Sequence, residues 1–366
     1  MNILIVKTSS MGDILHTFPA AQALRKAFPQ AKLGWVVEPA HAEVLKGQPW
    51  LDETILWRRK GSFSFFQRDF LSDLRRTKWD MAIDFQGLFK SGLISRLSGA
   101  KQRVGFAPAR ELAHWFYTKP VPLRTLKCHA VERYLDLAAA LGADPKPWVR
   151  ERPYLQGEWG TPDGRGAELF PLHPTAADRE AVDQWLQKHD VQPQQQLVIL
   201  TPDCRREANR WPPERFAHLA EKLLEQPNVR VALSGGPGAK ELCDEVAAQV
   251  RGPLLRADGK FGLLGSSVLF SQASVLVTGD SGPMHLAAAV ELPSVSLLGP
   301  TNPLRTGPYC PDSIVLQERM ECQPCYAKRC PLQLTPSGCM DRLTVHMVLR
   351  AVQAQLSLPA TERRCA

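Results

Sequence analysis

Short runs with no polar face, such as Ile3–Val6 and Leu197–Leu200, admit few folds. A strand that is apolar on both sides must be covered on both, which is the situation of a central strand in a parallel sheet flanked by helices. Further strand candidates are Leu33–Val37, Thr54–Trp57, Met81–Phe85 and Arg103–Phe106, and helical periodicity covers Pro19–Ala27, Phe65–Arg76 and Ala130–Leu141. The alternation predicts an α/β fold with helices on both faces of the sheet.

The pattern then stops and restarts. From Pro145 to about Ala177 the chain is rich in Pro, Gly and Trp without sustained period, as suits a connection between domains. A second series follows: strands Leu197–Leu200, Arg230–Ser234, Val275–Thr278 and Ser294–Leu298, with helices Pro213–Glu225, Ala239–Val250, Met284–Val290 and Thr344–Leu356. With 366 residues, two Rossmann-like domains facing across a cleft are expected. Their bounds are 1–165 and 191–342, with a linker region at 166–190 and a C-terminal helix and tail at 343–366 that packs back onto the body.

The net charge of +8 is unevenly placed, because residues 1–150 hold 23 Lys and Arg against 13 Asp and Glu. The first half should therefore attract anions. No aromatic RNA-binding strand motif, zinc-finger spacing or basic helix accompanies the charge, so nucleic acid is not the expected partner. Phosphorylated lipid headgroups and acidic sugars fit the charge equally well. No apolar run reaches the roughly 18 residues of a membrane span, and the chain opens on a strand instead of a signal core, so the expected compartment is the cytoplasm.

Several loops carry residues suited to chemistry. After the first strand come Lys7, Ser10, Gly12 and Asp13, where Asp13 stands as either a general base or the cap of the next helix. IDFQGLFKSG repeats the strand-then-glycine pattern and offers Gln86, Lys90 and Ser91. TGDSGPMHLAAA ends a strand and starts a helix directly after a proline, leaving backbone N–H groups free for a diphosphate. There Asp280 could orient a sugar hydroxyl and His285 bond a phosphate, or the two are a cap and a core residue. TPDCRREANRWPP offers Thr201, Arg205, Arg206, Asn209 and Arg210, either as donors to a nucleotide diphosphate or as a solvated basic loop. Cys322, Cys325, Cys330 and Cys339 lie close in sequence with a spacing that admits a structural metal or unpaired thiols.

MNILIVKTSSMGDILHTFPA, IDFQGLFKSG, AREL with FYTK, HAVER, RWPPERF, TGDSGPMHLAAA and LGPTNPLRTGPY together resemble the bacterial lipopolysaccharide heptosyltransferases, glycosyltransferase family 9, nearest its heptosyltransferase I branch. The order and near-complete span of these segments are specific to that family. The resemblance implies a GT-B architecture, with acceptor on the first domain and nucleotide sugar on the second. It implies a metal-independent, inverting transfer of heptose from ADP-heptose to Kdo-lipid A, without a cofactor.

Asp13 then matches the general base. Thr201, Arg205, Asn209, Arg210, Asp280, Ser281, Gly282, Pro283 and His285 match the donor side. Lys7, Ser10, Gly12, Gln86 and Lys90 match the acceptor side, and Arg58, Arg59 and Lys60 match a basic segment facing acidic sugars and lipid A phosphates. The family usually has lysine where this chain has Asn209, which leaves the donor's phosphate charge to the neighbouring arginines. Peripheral association with the anionic inner face of the inner membrane follows from the same resemblance. The remaining alternatives are a related transferase acting on a later core heptose or a protein hydroxyl, and a nucleotide-sugar-binding protein without activity.

Overall fold

A computed structural model describes residues 1–58, 67–125, 128–148, 169–330, 332 and 338–358. The described residues up to His173 form one compact unit, and those from Pro174 onward form a second.

The first unit is built on six strands: β1 (Asn2–Val6), β2 (Lys32–Val37), β3 (Glu53–Leu56), β4 (Met81–Asp84), β5 (Gln102–Phe106) and β6 (Lys119–Val121). They pair in parallel in the order β3-β2-β1-β4-β5-β6. Ile3, Leu4, Ile5 and Val6 are fully buried, as a strand without a polar face requires. The helices are α1 (Met11–Leu15), α2 (Phe18–Ala27), α3 (Arg68–Arg76), α4 (Phe89–Leu97) and α5 (Ala130–Ala139). Phe70 and Leu74 of α3 and Ile94 of α4 bury against Leu4, Val6 and Val36. α2 packs with α5, and its Phe18 meets Trp50 edge-on at 5.1 Å. α5 starts where His129 accepts from the Val131 N–H and Glu132 accepts from the His129 N–H, so two of the orphan donors at its start are satisfied locally.

The second unit repeats the plan with β7 (Gln196–Thr201), β8 (Val229–Leu233), β9 (Leu255–Arg256), β10 (Val275–Gly279), β11 (Ser294–Leu297) and β12 (Ile314–Leu316). Their order, β12-β11-β10-β7-β8-β9, is the same as the first when each sheet is counted from its own first strand. Both sheets are parallel, and in each the strand order reverses beside the first strand. That reversal opens a crevice at the carboxyl ends of β1 and β4 in one sheet and of β7 and β10 in the other, which is where ligands bind in such folds.

The edge strands β6, β9 and β12 are short and were not legible as apolar runs. The stretch 166–190, expected as a linker, contains a 13-residue helix, Ala176–Lys188, capped by Thr175 and packed on Leu263–Ser271 of the second unit. Its buried Val182 and Trp185, three residues apart, give it the apolar side that the polar surroundings obscured. The C-terminal helix Val345–Ser357 packs against Pro213–Leu224, with Val348 and Val352 in the second core. Trp211 Nε1 and Arg215 Nη1 both donate to the Leu343 carbonyl and hold the approach to that helix. Among the described residues no helix is long and apolar enough to cross a membrane.

Candidate active site

In the first unit, four residues separate the buried end of β1 from the start of α1, which puts Asp13 at the third helical position and at the switch point between β1 and β4. Its two oxygens do different things. Oδ2 accepts from the Ser10 N–H at 3.3 Å and the Ser10 hydroxyl at 2.9 Å, closing the helix start. Oδ1 lies 3.5 Å from the Lys7 ammonium and accepts from the Tyr134 hydroxyl at 3.2 Å. Cap and candidate base, posed as alternatives by the sequence, are therefore served by separate atoms of one carboxylate.

Lys7 comes from the strand end, is 2% exposed, and donates to the Phe85 carbonyl at 3.2 Å and the Tyr134 hydroxyl at 2.7 Å besides pairing with Asp13. An ammonium has three protons and no acceptor site, so all three of its donors are directed inward. Lys7, expected on the acceptor side, holds Asp13. Because Lys7 only donates, Tyr134 Oη must accept from it, which leaves the tyrosine proton to point at Asp13. Burial works against ionisation of Asp13. The Lys7 and His16 charges and the Ser10 hydrogen bonds outweigh it and keep the carboxyl well below the usual carboxylate range. Burial likewise disfavours the Lys7 cation, and Asp13 and Tyr134 more than compensate, raising it above the ordinary lysine value.

Gln86 braces the same loop, its side-chain oxygen accepting from the Thr8 and Ser9 N–H groups. Gln86 is itself placed by Asp84, a buried carboxylate at the end of β4 that accepts from the Gln86 and Gly87 N–H groups and from Ser91 and Tyr117 hydroxyls. Burial raises the Asp84 carboxyl despite those bonds. Ser91 is wholly buried, so its part is structural. Lys90 is half-buried, paired with Glu38 at 3.1 Å and lying over the Trp57 ring. Arg58 is exposed, whereas Arg59 and Lys60 lie outside the described residues.

In the second unit, Ser281 stands extended at the position before the helix Gly282–Ala289, without a side-chain capping bond, and Pro283 lies in the first turn. Asp280, Ser281, Gly282, Pro283 and His285 are all half-buried at its N-terminal end. The first N–H groups of a helix lack intrahelical partners and carry the positive end of its dipole. Asn209 is 3% exposed and donates from Nδ2 to the Asp280 carbonyl at 3.1 Å, while its Oδ1 finds no partner. The residue expected to contact the donor thus ties the loop after β7 to the loop after β10. Gly279 permits that approach, since a Cβ there would lie 2.5 Å from Cys204 Sγ and 2.7 Å from the Asn209 carbonyl. Thr201 is buried at the end of β7. Arg210 folds back on its own loop, bonding the Cys204 carbonyl and lying 3.7 Å from Asp203. Arg206 is exposed and reaches the Tyr326 carbonyl, and Arg205 is exposed.

Cys322, Cys325, Cys330 and Cys339 line one pocket with Met320, Gln323 and Leu332. Among the described residues, however, no group of three or more His, Cys, Asp or Glu side chains is arranged to hold a metal ion, so the structural metal admitted by the spacing is not supported. Tyr134 is the functional residue that sequence reasoning missed. It directly follows HAVER, a segment that carries the resemblance, inside the expected helix Ala130–Leu141, and nothing local marks a contact made across 121 residues.

Residues 68–335 match the family model of glycosyltransferase family 9 (heptosyltransferase). The chain is 30% identical to lipopolysaccharide heptosyltransferase 1 of Pseudomonas aeruginosa, over 99% of this chain and all of that protein. It is also 30% identical to lipopolysaccharide heptosyltransferase 1 of Escherichia coli K12, over 88% and 95% of the two chains. Among solved structures, a family 9 glycosyl transferase from Veillonella parvula superposes with a TM-score of 0.79 at 23% identity, covering 97% of each chain. E. coli heptosyltransferase WaaC with ADP superposes with a TM-score of 0.69 at 25% identity, over 97% of this chain and all of that one.

Proposed function

The chain belongs to glycosyltransferase family 9 (heptosyltransferase), and from that premise we propose that it moves heptose from ADP-heptose to Kdo-lipid A with Asp13 as the general base. Lipopolysaccharide core synthesis is the setting in which its relatives are named. The observation that carries the proposal is the Asp13 carboxylate, 41% exposed, at the switch point of the first sheet, with Oδ1 fixed by Lys7 and Tyr134.

In this reading an acceptor hydroxyl oxygen attacks the anomeric carbon of ADP-heptose as the bond from that carbon to the diphosphate oxygen breaks. A single displacement inverts the configuration. ADP departs with the bonding electron pair, and the hydroxyl proton passes to Asp13. The low proton affinity of Asp13 suits a late transfer, because the hydroxyl becomes strongly acidic only as its oxygen bonds to the electron-poor carbon. Charge on the departing ADP is met by the N–H groups at the start of Gly282–Ala289, with His285 beside them, so the step needs no metal. The excess of cations in residues 1–150 brings this unit to the anionic inner face of the membrane that holds the acceptor.

The test is transfer from ADP-heptose to Kdo-lipid A followed by mass spectrometry, for the wild type and Asp13→Asn. A heptose-sized gain in the wild type and a rate lower by about 10²- to 10⁴-fold in the variant are expected, with ADP affinity unchanged. Full activity of the variant, or no transfer by the wild type, would refute the assignment.

A further inference from the structure

We propose that segment 110–116, with Phe89 beside it, is the surface on which the first unit lies against an anionic lipid bilayer. Among the described residues of that unit, Met1 apart, the exposed large apolar side chains are Phe89 (44%), Leu112 (48%) and Trp115 (69%). The fold gathers them: Phe89 N–H donates to Glu111, and the Phe89 and Phe116 rings meet edge-on at 5.2 Å. Glu111 and Leu112 both adopt positive φ, 54° and 60°, a conformation that side chains disfavour. A backbone held there while exposing Leu112 and Trp115 spends stability on presenting apolar groups to the outside.

The charge around these tips identifies what they meet. Between residues 86 and 119 the cations are Lys90, Arg96, Lys101, Arg103, Arg110 and Lys119, and the one carboxylate is Glu111. Arg110, Lys101, Arg96 and Lys119 are exposed, and Arg103 donates to the Phe116 carbonyl at 2.7 Å. Aromatic and aliphatic tips ringed by Lys and Arg match the boundary of an acidic bilayer, where headgroups attract the cations and the acyl edge takes the apolar side chains.

The surface also adjoins the base. Arg110 N–H donates to the Gly87 carbonyl, and the neighbouring Gln86 holds Thr8 and Ser9 of the Asp13 loop. A lipid-anchored acceptor would thus be met at the plane of the membrane, a point that rests on the glycolipid reading above.

The experiment is co-sedimentation of the full chain with vesicles of phosphatidylcholine, and of phosphatidylcholine mixed with phosphatidylglycerol, for the wild type and Leu112→Ser/Trp115→Ser. The wild type should follow the mixed vesicles, and the double variant should partition about tenfold less. Its turnover of a deacylated Kdo-bearing acceptor should be unchanged, which shows the fold and chemistry intact, while turnover of vesicle-embedded acceptor falls. Equal partition of both proteins, indifference of the wild type to acidic lipid, or a wild-type dimer that the double variant dissolves would overturn the proposal. Vesicle binding that depends on Leu112 and Trp115 in a protein that transfers to neither acceptor would sink the glycolipid reading alone and leave this surface standing.

Discussion

Lys7→Met removes the cation 3.5 Å from Asp13 Oδ1 while keeping an apolar stem in the buried site. Two unit charges at that separation attract by about 1 kcal/mol in water and about 5 kcal/mol at an effective dielectric of about 20. Asp13 is 41% exposed, so the pair belongs toward the aqueous end, at roughly 2 kcal/mol. Losing that much from the ionised form moves protonation of the carboxyl up by between about one and two pH units. Burial, which already pushes Asp13 upward, then acts against His16, the Ser10 hydrogen bonds and the Tyr134 hydroxyl.

In the wild type the folded-state value is depressed, so Asp13 contributes stability above its unfolded value and loses it as pH falls through the folded one. The variant narrows that window. The assay is melting temperature against pH from about 1.5 to 7, read as the difference between wild type and variant. That difference should shrink as pH falls through the Asp13 titration of the variant and then of the wild type, because the stability contributed by the Lys7 charge is present only while Asp13 is ionised. A difference that stays constant with pH over that range, in a variant that remains folded, would refute the claim that Lys7 sets the charge state of the base.

Tyr134→Phe keeps the ring and deletes the hydroxyl that bridges Lys7 at 2.7 Å and Asp13 at 3.2 Å. Stability should fall by about 1 kcal/mol in chemical denaturation, with kcat lowered and donor KM unaffected in steady-state kinetics. Gly279→Ala places a methyl against Cys204 Sγ and the Asn209 carbonyl, and the carbonyl cannot swing aside as a flexible side chain would. About 1–3 kcal/mol of stability should be lost, together with ADP affinity measured by calorimetry, and adding Cys204→Ala should restore only part of it.

The strands legible in the sequence are β1 to β5, β7, β8, β10 and β11, most plainly where burial on both faces leaves a continuous apolar run, as in β1 and β7. β6, β9 and β12 span two or three residues at sheet edges, and their pairing depends on a neighbour that no local pattern reveals. The helix Phe65–Arg76 expected from periodicity begins at Arg68 among the described residues, behind an extended Gln67. At the site, Asp13 stood out because a loop after a buried strand carried one acidic side chain. Residue type alone could not separate cap from base, since that division lies between two oxygens of one carboxylate. Resemblance places Asn209 on the donor side, at the position where the family usually has lysine, and its burial and its bond to the Asp280 carbonyl, which tie two loops, have no local signal.

The repetition of one strand order in two halves bears on how the protein is made. All six strands of the first sheet come from residues 2–121, and the contacts that finish its unit, Gln22 to the Leu169 carbonyl and Gln48 to the Pro171 carbonyl, are available once residue 171 has left the ribosome. No strand of the second sheet is needed. The Lys7–Tyr134–Asp13 constellation therefore draws on no residue of the second sheet, and a chain made from its N-terminus holds every side chain of it while that sheet is still incomplete.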